Sequence, residues 1–214
     1  MSGGQMSEGQ MSAGQLSSTN APAAVPPLVL LKVPEELGSE RLLLLSARAG
    51  FGQAVCAAVA ESFEQLRPWM PWCQAMPTVE GTEAVMRQMQ ARFIQREDLC
   101  YHFFRRGEDG RPGRLLGGCG LHRMDWALRR FEIGYWVRSS AQGQGYVSEV
   151  VQQLSRMAFE QLRARRVEIR CDARNARSRA VAERNGFQLE AVLRHAMLGV
   201  DGEPADQCLY TRWP

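Results

Sequence analysis

The run Gln142-Gly143-Gln144-Gly145 passes directly into Tyr146, Val147 and Ser148, where an amphipathic segment begins. That order of residues suits an anion. The first N–H groups of a helix have no intrahelical partner and lie at the positive end of its dipole. Glycines without side chains let a pyrophosphate approach the main chain to hydrogen-bonding distance. The spacing is not G-x-x-x-x-G-K-[ST] and no lysine stands here, which argues against a nucleoside triphosphatase. It is not G-x-G-x-x-G either, which argues against a Rossmann dinucleotide site. By spacing alone, two glycines before a helix fit a simple tight turn equally well. The six cysteines form no C-x-x-C pair, and His102, His122 and His195 are dispersed, so no metal site is expected. Scattered cysteines fit a reducing compartment, and a cytoplasmic location is the expectation.

The elements that must hold this loop follow from composition and pattern. With 214 residues, 45% hydrophobic and 23% charged, the chain can bury one sizeable core. Its apolar runs, such as Leu42 to Leu45, are too short to cross a bilayer, and Met1 to Gln15 lacks the basic start and apolar middle of a secretory signal. Net charge is +3, and every basic residue but Lys32 is an arginine. Such a surface suits phosphate-bearing partners, since the guanidinium fork matches phosphate oxygens.

Residues 1–37 open with a five-residue Ser/Gly/Gln repeat and continue into a proline-spaced stretch. They predict a disordered tail, followed by one domain over 38–214. Within the domain, Leu42–Leu45 reads as a strand, then Ala49–Leu66 and Thr82–Gln95 as helices split by Pro68 and Pro71. Leu99–Arg105, Leu115–His122 and Phe131–Val137 read as strands, and the apolar face from Val147 to Leu162 as a helix. A strand over 167–171, a short helix Ala176–Arg184 and a closing hairpin around Asp201-Gly202 complete the pattern. The fold class is α+β, a mixed sheet with helices on both faces.

In this setting the loop resembles the acetyl-coenzyme-A loop of the GNAT superfamily of N-acetyltransferases, [R/Q]-x-x-G-x-[G/A], with Val147 in place of the usual small last residue. Leu66-Arg67-Pro68-Trp69-Met70-Pro71-Trp72, Glu132-Ile133-Gly134-Tyr135-Trp136, Asn175-x-x-Ser178 with Asn185-Gly186-Phe187, and Leu193-Arg194 through Asp201-Gly202 to Asp206 resemble its RimJ/RimL branch, closest to the RimL type. The likeness spans roughly 38–214. It implies the GNAT fold, a mostly antiparallel sheet with a central splay, and acetyl-CoA as cofactor. It implies cofactor contacts from Val137, Gln142, Gly143, Gln144, Gly145, Tyr146, Val147 and Ser148, with Asn175 at the pantetheine amides and Ser178 at the sulfur. Asn175 is equally a natural helix N-cap. A homodimer is also implied.

Amine acetylation requires an ammonium to be deprotonated, an oxyanion stabilised and a thiolate protonated. An α-amine has a pKa of about 8, so a carboxylate acting through water suffices as base. Glu132, on the strand leading into the loop, and Glu190, after Gly186-Phe187, are the candidates. The resemblance favours Glu190 as base and Ser178 as acid, since Ala182 stands where many relatives place a tyrosine. Trp69, Trp72 and Trp136 suit either an acceptor wall or the core. The expected acceptor is the N-terminal α-amine of a protein such as a ribosomal protein. The alternatives are a small amine (polyamine, amino acid or aminoglycoside) and a non-catalytic acyl-CoA-binding module. The arginines from Arg163 to Arg179 have no nucleic-acid motif beside them, so no direct nucleic-acid role is expected.

Overall fold

In the computed structural model, which describes Met1 and residues 27–214, eight strands form one mixed sheet in the order β1-β2-β3-β4-β5-β6-β8-β7. β1 (Glu36–Gly38), β2 (Leu42–Ser46), β3 (Leu99–Arg106), β4 (Pro112–Asp125) and β5 (Arg130–Val137) pair antiparallel in sequence order. β6 (Arg166–Asp172) joins β5 in parallel, and β8 (Pro204–Arg212) then pairs antiparallel with β6 and β7 (Gln188–Leu198).

Strand alternation divides the core between the two faces. Leu99, Tyr101 and Phe103 pack with Val150, Val151 and Leu154 of α4 (Tyr146–Arg156) and with Ala182 of α5 (Ala176–Arg184). Phe104 and Leu115 point the other way, onto Val55 and Val59 of α1 (Gly52–Glu61) and Met86 of α3 (Val79–Gln95). Because β3 is covered on both sides, its first six residues are all buried, an apolar run broken only by His102. The 49–66 helix divides at Ser62, whose hydroxyl bonds back to Ala58 O, leaving α2 (Phe63–Leu66) as a single turn. The long apolar face of α4 is retained, with its last turn relaxed into a π-helix over Met157–Gln161.

The domain begins earlier than position 38. Residues 2–26 of the expected tail lie outside the described residues. Leu28–Leu30 forms a 3-10 turn, Val33 is buried, and β1 pairs with β2. Distant side chains satisfy this segment's carbonyls: Arg96 donates to Leu31 O at 2.9 and 3.1 Å, and the Tyr101 hydroxyl to Pro34 O at 2.6 Å. A proline-spaced stretch offers no local pattern that announces such partners.

One discontinuity in the sheet matters most. β5 and β6 pair only at Arg130↔Arg166, Phe131↔Val167 and Glu132↔Glu168. Both strands continue beyond that point, β5 to Val137 and β6 to Asp172, without further pairing to each other. The sheet splays there. Replacing Tyr101 with Phe, which removes the bond to Pro34 while keeping the ring, is expected to cost about 1 kcal/mol in urea denaturation. An unchanged midpoint would mean that residues 28–38 are not held by this contact.

Candidate active site

The segment after β5 is clamped to the end of α1. Arg138 pairs with Glu61 at 2.7 Å and its N–H bonds Leu116 O at 2.7 Å. Glu61 also accepts from the Ser140 hydroxyl and N–H at 2.6 and 3.2 Å, and Ser62 accepts from Ser139 N–H at 2.9 Å. The Ser140 bond comes first among the causes that hold the Glu61 carboxyl below the usual carboxylate range.

From this base the chain turns through Gly143 and Gly145 at φ 73° and 80°, a left-handed geometry that glycine adopts without cost. Gly145 caps α4 with no side-chain hydrogen bond, so the amides of Tyr146, Val147 and Ser148 are not spent on a protein cap. Arginines flank the loop. Arg177 of α5 donates to Gln142 Oε1 at 3.0 Å, and Arg41 donates to Gln144 O at 3.2 Å while lying over the Tyr146 ring. An uncapped helix start, two left-handed glycines and adjacent guanidiniums fit a pyrophosphate.

A cleft of about 720 Å³ runs along the splay. Asn175 and Ser178 reach it from α5, and Tyr135, Cys171 and Asp172 from the two parted strands. Asn175 Oδ1 accepts from Ser178 N–H at 3.0 Å, so its N-cap role is realised while its side chain borders the cleft. The Ser178 and Tyr135 hydroxyls bond at 3.0 Å. Burial pushes the Tyr135 phenol well up, and the Cys171 thiol up to about 11 despite a bond from Ser178. Both hydroxyls and the thiol are therefore protonated at neutral pH and can donate. Trp69, Trp72, Met70, Val85 and Met89 line the opposite wall with Trp136, which meets Trp72 edge-on at 6.1 Å.

The two glutamates part company. Glu132 borders the cleft on β5, its Oε2 buried at 3.4 Å from Arg170 Nε and 3.7 Å from Arg123 Nη1. Neither contact has hydrogen-bond geometry, and Oε2 has no partner. Burial raises its pKa above the ordinary carboxylate range, the two arginines opposing but not cancelling that effect. Glu190 is not among the cleft residues. It lies on β7, where Arg166 grips both oxygens at 2.7 and 2.9 Å and lowers its pKa. The residue count after Gly186-Phe187 gives no hint that β8 lies between β7 and β6, which is what removes Glu190 from the splay.

Other side chains meet in the cleft with no local signal in the sequence. Tyr135 was visible only as part of a motif, and its contact with Ser178 depends on where α5 lands. Asp98, just before β3, bonds His122 Nδ1 at 2.6 Å inside the cleft. Asp98, Cys100 and His122 place one donor atom each within 4.8 Å of one another. The Asp98–His122 bond already occupies the facing atoms and burial keeps the Cys100 thiol protonated, so the group is a hydrogen-bonded dyad beside a buried thiol. The arginines from 166 to 179 are largely held within the chain, Arg170 on Glu168, Arg174 on Asp172 and Arg179 on Tyr210.

Comparison with known proteins places this geometry. A family model described as an acetyltransferase (GNAT) domain matches residues 41–188, most of the chain. The chain belongs to that family, which uses acetyl-CoA as acyl donor. YdaF of Bacillus subtilis (strain 168) is 37% identical over 99 residues, 46% of this chain and 54% of that protein. The ribosomal-protein-serine acetyltransferase of Escherichia coli (strain K12) is 39% identical over 82 residues, 38% and 46% of the two chains. The chain thus spans about half the length of these curated relatives. The solved structure of RimL, a ribosomal alpha-N-protein acetyltransferase, in complex with coenzyme A superposes with a TM-score of 0.76 at 26% identity, covering 84% of this chain and 98% of that one. Among the described residues, no helix is long and apolar enough to cross a membrane.

Gly145→Ala puts a Cβ on a left-handed residue at a cost of about 1–2 kcal/mol. The loop escapes that strain by leaving the turn, and returning to it on binding costs the same amount, so titration calorimetry should show coenzyme A binding weakened by up to about five- to thirtyfold; unchanged affinity would place the pyrophosphate elsewhere.

Proposed function

We propose that this chain transfers the acetyl group of acetyl-CoA to an amine by direct attack on the thioester, the acceptor being the N-terminal α-amine of a protein such as a ribosomal protein. The observation that carries the reading is the unpaired stretch of β5 and β6, which leads on β5 toward the loop before the uncapped α4 amides and borders an apolar cleft in which Glu132 Oε2 is buried without a hydrogen-bond partner. The names of the ribosomal relatives support the choice of acceptor. So does the wall chemistry: Asp172 is bound by Arg174, leaving Asp98 and Glu132 as the cleft's other carboxylates, too few for a polycation.

In this proposal the loop amides and Arg177 hold the diphosphate, and the parted main chain of β5 near Val137 holds the pantetheine arm, with Asn175 beside it. When bound, acetyl-CoA supplies the activated carbonyl. Glu132 takes a proton from the acceptor's ammonium through water, and Ser178, backed by Tyr135, stands at the sulfur as proton donor. Glu190 has no part in the chemistry; its pair with Arg166 ties β7 to β6. A homodimer belongs to the proposal as well, with the open edge of β7 exposing Leu189, Val192 and Leu198.

Mass spectrometry of a free-N-terminus peptide library incubated with acetyl-CoA should show acetyl groups on α-amines. Modification confined to polyamines or amino acids would favour the small-amine reading, and no transfer to any amine would favour a binding module. Glu132→Gln should lower kcat by about 10²- to 10⁴-fold, whereas Glu190→Gln should stay within about twofold of wild type. Glu132 must be ionised to accept a proton, so its raised pKa moves the acidic limb of kcat/KM above the usual carboxylate range. A limb below that range would remove Glu132 from the role.

A further inference from the structure

A proton that reaches Glu132 must be passed on to solvent before the next turnover. Its Oε2 is buried, and the groups nearest to it are the Arg123 and Arg170 guanidiniums, which have no acceptor atom. Glu168, its register partner on β6, cannot take the proton readily. Burial opposes its ionisation, but hydrogen bonds from Arg166 and Arg170 prevail and hold its carboxyl below the usual range. Burial keeps the Cys100 thiol protonated. One neighbour remains. His122 stands directly opposite Glu132 in the β4–β5 ladder, which puts the two side chains side by side on one face.

The surroundings of His122 are those of a proton carrier. Asp98 Oδ1 accepts from Nδ1 at 2.6 Å, which fixes the tautomer and leaves Nε2 as the free acceptor. The ring lies over Gly134, where an added Cβ would come within 2.9 Å of Nε2, so the imidazole occupies space that any other residue would fill. Its side chain is 32% exposed, against 16% for Glu132, so it bridges the buried carboxylate and solvent. The charged and titratable groups facing it are Asp98 just before β3, Cys100 within it, Glu132 on β5 and Arg170 on β6, with Arg123 next in the chain.

We infer that the Asp98–His122 pair is the proton exit of the site, His122 relaying to solvent the proton that Glu132 takes from the acceptor, and Asp98 serving as its positioning residue. This rests on the acetyl-transfer reading and adds a part to it. The protons balance. Of the three on the ammonium, the first goes to Glu132, then to His122 Nε2 and out to water. The freed lone pair forms the C–N bond. As the C–S bond breaks, the second proton leaves the nitrogen and one returns to sulfur at Ser178; the third stays on the amide.

The test uses the full-length chain, acetyl-CoA and a synthetic peptide with a free N-terminal serine. His122→Gln should lower kcat at least tenfold with the KM for acetyl-CoA unchanged. His122→Ala should regain activity when imidazole is added, which a structural role would not allow. Asp98→Asn should lower kcat less than His122→Gln does and leave the KM for acetyl-CoA unchanged, because the ring loses the bond that orients it but keeps Nε2. A His122→Gln enzyme within twofold of wild type with the same pH profile would overturn the relay, as would a loss of kcat that imidazole does not restore. A wild-type chain that acetylates no α-amine would overturn the underlying reading, and the relay with it.

Discussion

Two neighbouring parallel strands that stop exchanging hydrogen bonds halfway along their length leave main-chain groups in need of partners. Buried backbone donors and acceptors are almost never left unpaired in proteins, so the parting of β5 and β6 after Glu132 and Glu168 is an opening built for something that brings its own hydrogen bonds. In the proposed reading, the amide groups of a pantetheine arm meet that need in the manner of an added strand. The loop beyond β5 sets a second unspent group of donors, the first amides of α4, at the end of the same opening. Separately, each feature has an ordinary structural explanation. Together, in the proposed reading, they suit a long phosphate-bearing cofactor and account for the two left-handed glycines and the Arg138–Glu61 clamp beside them.

Charge placement follows from the same opening. Where β5 and β6 part, Glu132 and Glu168 lie side by side in register, and like charges so placed would repel. Arg166 and Arg170 answer this by binding Glu168, and Arg166 reaches on to Glu190. The outcome is asymmetric. Glu168 and Glu190 become fixed anions, while Glu132, with guanidiniums near but not bonded, keeps a carboxylate that can change protonation state. An arginine-rich sequence here reflects internal neutralisation as much as any binding surface.

The fold was legible because its signals are local. Strand alternation, the apolar face of α4, the Asn175 cap and the glycine pair each lie within one element, and the family resemblance fixed their order. The site was legible as far as it shares those elements. Gln142–Ser148 and the Asn175–Ser178 turn carry their geometry in sequence. Glu190 lies away from the cleft because its neighbours are set by sheet order: β8 inserts between β6 and β7, a fact no spacing in the chain reveals. Asp98 carries no motif, and His122 reads as a lone histidine in the sequence, for a related reason. Twenty-four residues and a hairpin separate them, and only the register of β4 on β3 and β5 brings the imidazole between Asp98 and Glu132. The segment from Leu28 to Leu37 looked like tail because its anchors, Arg96 and Tyr101, lie more than sixty residues away.

Backbone ¹⁵N NMR during titration with coenzyme A examines the opening directly. The amide resonances of Gly143 to Ser148 and of the unpaired part of β5, from Ile133 to Val137, should shift together and saturate with a single affinity. Saturable shifts that spare those amides and cluster on another face would contradict the account, and so would the absence of any response to the cofactor.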